Sequence, residues 1–248
     1  MRGMLILICF ASFAATCVIA LSGPGVRFGL WDYGTGLAVF RGMKTPAIIL
    51  AVLAIGSTLL SWRLHSDLTL VLLISAISVA CAAFAPVRFE QLVAQTPLIH
   101  DITTDFENPP AIVAAADEPR KNPVDYVGTE KAPQSEKTIA ETQREAFPEV
   151  RSLVVNANMA QVETIAREAI VDMGMQTIAS GSEGGVTTLE ATYTSFWFGF
   201  TDDFIVRLEP DAEGIRVDLR SKSRVGLSDL GANAKRVLEF TSKIKAKL

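Results

Sequence analysis

Three uncharged apolar runs constrain this chain more than any other feature. Leu5–Leu21 is seventeen residues without a charge, and Thr45–Trp62 and Leu68–Ala85 are eighteen each. A helix rises about 1.5 Å per residue, so such runs just reach across a hydrocarbon core roughly 30 Å thick. Lipid offers no partner to a backbone N–H or C=O, so helices are the fitting conformation. Residues 1–86 are therefore expected to form a three-helix transmembrane region. A rival reading of the first run is a cleaved signal peptide, because Arg2 precedes it and Ala11, Ala14 and Ala15 are small. Thr16-Cys17 sits inside the run and no clean cleavage site follows, which favours a retained anchor.

The connection Gly23–Lys44 reads GPGVRFGLWDYGTGLAVFRGMK, with Trp31 and Tyr33 among glycines and basic residues. Aromatics of this kind favour the membrane–water boundary, and an interfacial loop is expected here. Arg2, Arg63 and His65 fall on one side of the three spans, and Arg27, Arg41, Lys44 and Arg88 on the other. The positive-inside rule puts the second side, and the domain that follows it, in the cytoplasm. The lipid bilayer is the first partner the sequence implies.

Composition narrows the remaining classes. The formal charge of −4 argues against a nucleic-acid partner, which needs a basic field. Cys9, Cys17 and Cys81 all lie in the apolar runs, and the two histidines are His65 and His100. The soluble part thus has neither a disulfide framework nor a two-histidine zinc site, and neither a metal nor a cofactor is expected.

Residues 97–248 read as one soluble α+β domain. Leu98–Thr104 is an extended lead-in, and Asn108 with Pro109 is expected to open a short helix over Pro109–Ala116. Asp117–Lys137 is rich in Pro, Gly and charge and is expected to be an exposed loop, ordered where Val124 and Tyr126 dock. A helix over Ser135–Ala146 ends before Pro148. Strands are expected at Val150–Asn156, Gln176–Ala179, Val186–Ser195, Phe204–Leu208 and Ile215–Arg224, with turns at Ser182–Gly185 and Pro210–Gly214. Asn158 caps a helix that Gly174 ends, and Leu230–Lys247 forms the last one. Consecutive strands with short turns imply a two-layer fold: an antiparallel sheet with the helices on one face. Alternation gives that sheet a second, charged face, expected to be open, with Glu190 on one strand and Arg216, Asp218, Arg220, Lys222 and Arg224 on another.

Four stretches carry a resemblance: PLIHDITTDFENPP at 97–110, FWFGFTDDFIVRL at 196–208, RVDLRSKSRVGLSDLGANAKR at 216–236, and FGLWDYGTG at 28–36. On them the chain resembles the bacterial domain-of-unknown-function family 1499, in its membrane-anchored subgroup. The resemblance implies a bacterial membrane protein and assigns no activity.

Three polar clusters are candidates for chemistry. His100 beside Asp101 could serve acid–base catalysis, or could simply tie the lead-in to the sheet. Asp202 and Asp203 follow an aromatic stretch and could bind a cation with Asp101 or Asp105; a packed hairpin connection with capping aspartates explains them better. The segment 220–233 joins a strand end to a helix start, an arrangement that suits an anion. Its candidate ligands are Arg220, Ser223, Arg224, Ser228, Asp229 and Asn233, and the competing reading is a structural ion-pair network. Three lysines, Lys243, Lys245 and Lys247, close the last helix, where its dipole favours cations.

Two functions from different classes follow. One is a membrane-anchored binding or scaffold protein of the bacterial cell envelope and inner membrane, with an envelope protein or an anionic small molecule as partner. The alternative is an envelope hydrolase using His100 with Asp101 or Asp202. Spans without an intramembrane charge argue against a transporter.

Overall fold

A computed structural model describes residues 1–64 and 66–248. His65, counted above among the flanking charges, lies outside the described residues. The chain forms two compact units: Met1–Ala94 with Phe196–Gly199, and Gln95–Ser195 with Phe200–Leu248.

Among the described residues, the first unit holds four helices: α1 (Arg2–Arg27), α2 (Tyr33–Gly42), α3 (Lys44–Leu64) and α4 (Ser66–Gln95). Three helical stretches among the described residues, Arg2–Arg27, Tyr33–Leu64 and Asp67–Gln95, are long and apolar enough to cross a membrane. The expected loop over Gly23–Lys44 is mostly helix. Helix α1 runs on through Pro24 to Arg27, and Asp32 restarts the chain by accepting the Gly34 and Thr35 amides. The turn between them closes because Trp31 lies against Gly25, where a β-carbon would come within 1.8 Å of the ring. The Trp31 indole also donates to the Ser22 carbonyl.

Small side chains dominate the buried side of these helices: Ser12, Ala15 and Ser22 beside Leu5 and Ile19 in α1, and Ala47, Ala51, Ala54, Ser57 and Ser61 in α3. Phe10, Phe13 and Val52 point outward. Small seams with large apolar residues outside suit helices that pack in lipid. Phe40 gathers the aromatic side chains of this unit, with Phe89, Trp197 and Phe198 within 5.1–5.9 Å of its ring. The Trp197 indole donates to the Ala20 carbonyl.

The second unit is a six-stranded antiparallel sheet in the order β1-β6-β5-β4-β3, with β2 also paired to β6. Its strands are β1 (Asp101–Thr103), β2 (Leu153–Val155), β3 (Gln176–Glu183), β4 (Val186–Thr194), β5 (Thr201–Asp211) and β6 (Gly214–Ser223). Helices α6 (Met159–Asp172) and α7 (Ala232–Ala246) lie on one face, and α5 (Ile139–Ala146) precedes β2. Asn158 caps α6 through the Gln161 amide, and Thr138 with Glu141 forms a capping box on α5. The core between helices and sheet contains Val162, Ala166, Ile170, Phe204, Val206, Leu208, Val217, Leu219, Val237 and Phe240. This is the expected two-layer α+β arrangement, with β3 and β5 longer and β2 shorter than the hydrophobic pattern alone marks. Pro210 falls inside β5, so the turn to β6 is confined to Ala212-Glu213.

Two expectations fail on the other face. Residues 109–116 are not a helix. Their backbone groups are taken by side chains of the sheet: Glu190 accepts the Val113 and Ala114 amides, and Arg220 donates to the Pro110 carbonyl. Nor is the charged face open. An irregular layer drawn from residues 104–128 covers it, and Asp218, Arg220 and Lys222 are all buried. Ile112, Ala115 and Val124 of this layer pack on Ile205, an apolar side chain amid the charges. Ile205→Ala should therefore cost about 2–5 kcal/mol. Limited proteolysis should then cut within 109–125 before the sheet unfolds; equal resistance would place the layer's anchorage elsewhere.

Candidate functional site

The pleat of β6 sends neighbouring residues to opposite faces, and this divides the segment 220–233. Arg220, Lys222 and Arg224 point into the irregular layer, while Ser221 and Ser223 point to α7. The six candidate anion ligands therefore do not converge on one site.

On the layer side, Asp101 is the hub. Its carboxylate receives Arg220 Nε and Nη2, each at 2.9 Å, and Lys222 Nζ at 2.8 Å. Strand pairing produces this meeting, since Asp101 stands opposite Lys222 across the β1–β6 ladder. The remaining donors reach backbone carbonyls of the covering layer: Arg220 those of Pro110 and Val124, Lys222 that of Asp125. Burial depresses the pKa of Lys222 below that of an ordinary lysine, with Asp101 opposing. Arg224 pairs with Asp203 at 2.8 Å and with Glu118, and Arg120 of the layer also reaches Asp203. A third group joins Arg207 and Arg216 to Asp105 and Asp218. Burial raises the Asp105 carboxyl, but amide bonds from Asn108 and Glu107 and the charges of Arg216 and Arg207 outweigh it and hold the pKa low.

On the helix side, Asp202 pairs with Arg236 at 2.9 Å, and Arg236 lies over the Tyr193 ring. Ser221 donates to Asn233, whose amide donates in turn to Ser223 and to the His100 carbonyl. Ser228 donates to the Pro97 carbonyl. Asp229 accepts the Gly231 and Asn233 amides at the start of α7. Its own pKa is pushed up to about 6, first by burial, against those two amide bonds, with the nearby Asp202 charge adding to the rise.

His100 is half-buried, and its Nε2 has no hydrogen-bond partner among the described residues. Burial lowers its pKa, Asp101 opposes that, Lys222 adds to it, and the Asp202 charge is also felt. Both candidate carboxylates thus come within electrostatic range of the imidazole, yet each is already held by its own cations. Asp202 and Asp203 lie on opposite faces. No group of three or more His, Cys, Asp or Glu that could hold a metal occurs among the described residues.

The feature that the sequence did not reveal is a cleft of about 670 Å³ over β3 and β4, where the irregular layer stops. Val113 and Ala114 form one wall, and Ala179, Gly181, Thr188 and Glu190 line the floor. Glu190 is 6% exposed, and both its oxygens accept the Val113 and Ala114 amides at 2.9–3.2 Å. Its place on the charged face was readable from alternation. That it would hold backbone amides instead of an arginine was not.

Two outcomes test these assignments. Asp101→Asn leaves Arg220 and Lys222 without their shared anion and should cost about 3–5 kcal/mol in urea unfolding of the full chain. A loss under 1 kcal/mol would mean that the pairs are effectively solvated. The second outcome concerns pH. The folded pKa of Asp229 lies above the roughly 4 of an unfolded aspartate. Its contribution to stability is therefore full below pH ~4 and is lost as pH rises through about 6. Asp229→Asn should gain on the native chain across that window, and a constant difference in unfolding midpoint would refute the assignment.

A comparison with curated proteins finds no match. A family model described as "Protein of unknown function (DUF1499)" matches residues 101–244, which spans β1 through nearly the whole of α7. The matched stretch contains the sheet, both covering helices and the buried ion-pair face, and on that ground the chain belongs to the DUF1499 family.

Proposed function

We propose that the chain is a multi-pass protein of a bacterial inner membrane whose C-terminal unit is a binding or scaffold module of the cell envelope, held on the cytoplasmic side. The observation that carries this reading is that the acid–base candidates are already engaged. Asp101 is shared by Arg220 and Lys222, and Asp202 is held by Arg236. A general base must be able to approach its substrate, and these carboxylates would have to abandon buried cations to do so. The side supports are the three apolar helices and the cluster of Arg27, Arg41, Lys44 and Arg88 around them.

The anionic-ligand reading of the segment 220–233 loses support from the division of its side chains between two faces. Binding is better placed in the cleft over β3 and β4. The hydrolase alternative keeps one observation in its favour, the unpartnered His100 Nε2 within the field of Asp101 and Asp202.

Turnover decides between the two. The full chain in lipid nanodiscs, given chromogenic phosphate esters and glycosides, should match its His100→Ala variant at background. Hydrolysis that disappears with His100→Ala would overturn the binding reading. The membrane side is tested by Ala212→Cys in a background with Cys9, Cys17 and Cys81 changed to serine. A membrane-impermeant thiol reagent should label it only after lysis, and labelling in intact cells would move the module to the outer side.

A further inference from the structure

The cleft adjoins the free edge of the sheet. Strand β3 ends the order β1-β6-β5-β4-β3 and is exposed along nearly its whole length. Gly184 and Gly185, both at positive φ, form the two-residue turn to β4, which makes Glu183 and Val186 a hydrogen-bonded pair. Counting back by twos, Gly181 with Thr188 is also such a pair. Ser180 and Ser182 therefore turn their N–H and C=O groups outward, away from β4.

Edges of this kind are normally blunted by lysine, proline or a bulge. Residues 176–183 contain neither lysine nor proline. The one irregularity lies between Thr177 and Ala179, which leaves Ala179–Glu183 bare.

The cleft beside this edge has a definite chemistry. Its floor is small: a β-carbon on Gly181 would meet nothing within 4 Å. Its charged lining residues are Glu183 and Glu190, with neither lysine nor arginine among them. Neither glutamate makes an ion pair among the described residues, and Glu190 is fixed in place by two backbone amides. An anion would be repelled here, and a basic side chain would meet the exposed carboxylate of Glu183 beside the Glu190 charge, which its two amides leave without a counter-cation.

Resting on the reading of this unit as a binding module, we propose that β3 accepts an extended, basic polypeptide segment as an added strand. The main chain of the segment bonds to Ser180 and Ser182, and a lysine or arginine beside Gly181 enters the cleft towards Glu183 and Glu190. Main-chain pairing supplies affinity in this mode, and the cleft supplies selection by charge.

The test uses the full chain in nanodiscs of zwitterionic lipid and two fluorescein-labelled octapeptides. One alternates threonine with lysine, the other threonine with glutamate, and binding is read by anisotropy. The lysine peptide should bind at least tenfold more tightly than the glutamate peptide. Ser182→Pro removes an outward amide that an edge strand can lose, and Gly181→Phe fills the cleft. Each should weaken binding at least tenfold with the unfolding midpoint unchanged. Glu183→Lys should narrow or reverse the preference between the peptides. Equal binding of the two peptides, or binding indifferent to Gly181→Phe, overturns the proposal. So does a concentration-dependent dimer that Ser182→Pro abolishes, because the edge would then belong to a second copy of the chain. Failure here leaves the non-catalytic reading standing, since that falls only to turnover dependent on His100.

Discussion

The bidentate pairing of Asp101 with Arg220, shared with Lys222, is the interaction on which the C-terminal unit depends. Three charges are taken out of water on one face of the sheet, across its first two strands β1 and β6, which is costly unless every donor and acceptor is used. Here the spare donors of both cations end on carbonyls of Pro110, Val124 and Asp125. The ion pairs thus do two things at once. They stitch β1 to β6, and they fasten an irregular stretch of chain that has little regular structure of its own. Glu190 completes the arrangement with the opposite polarity, accepting amides where the cations donate to carbonyls.

This explains why the layer stops where it does. Charged anchors are concentrated on β6 and β5, and Ile205 adds an apolar one. Beyond Glu190, towards the edge strand, the face carries Thr188, Ala179 and Gly181, which offer the layer little to hold. The cleft is the uncovered remainder of a face whose other part is sealed by its own cations. The position of Glu190 at the border makes it a structural anchor and a wall of the cleft together.

The N-terminal unit follows a different physical rule. In water, large apolar residues would be turned inward, but in α3 the inward positions are all alanine and serine, and in α1 serine, alanine and glycine share them with Leu5 and Ile19, while Phe10, Phe13 and Val52 lie outside. Lipid tails are as apolar as those side chains, so helix contact there is governed by how closely backbones approach. Gly25 under Trp31 shows the same preference at a turn, where any side chain would displace the ring.

Patterns carried within one element were settled by the sequence alone. The apolar runs fixed the membrane-crossing helices, Asn158 and Gly174 fixed the ends of α6, and strict alternation over Ile215–Arg224 fixed both the strand and its two faces. These follow from local backbone geometry, which a short window of residues determines. Tertiary structure alone decided what covered the charged face, which partner each arginine took, and that Pro109–Ala116 would not be a helix. Those outcomes rest on meetings between residues about a hundred positions apart, such as Asp101 with Arg220 and Val113 with Glu190. No local pattern encodes such a meeting. It exists only once the sheet has set its strand order and register.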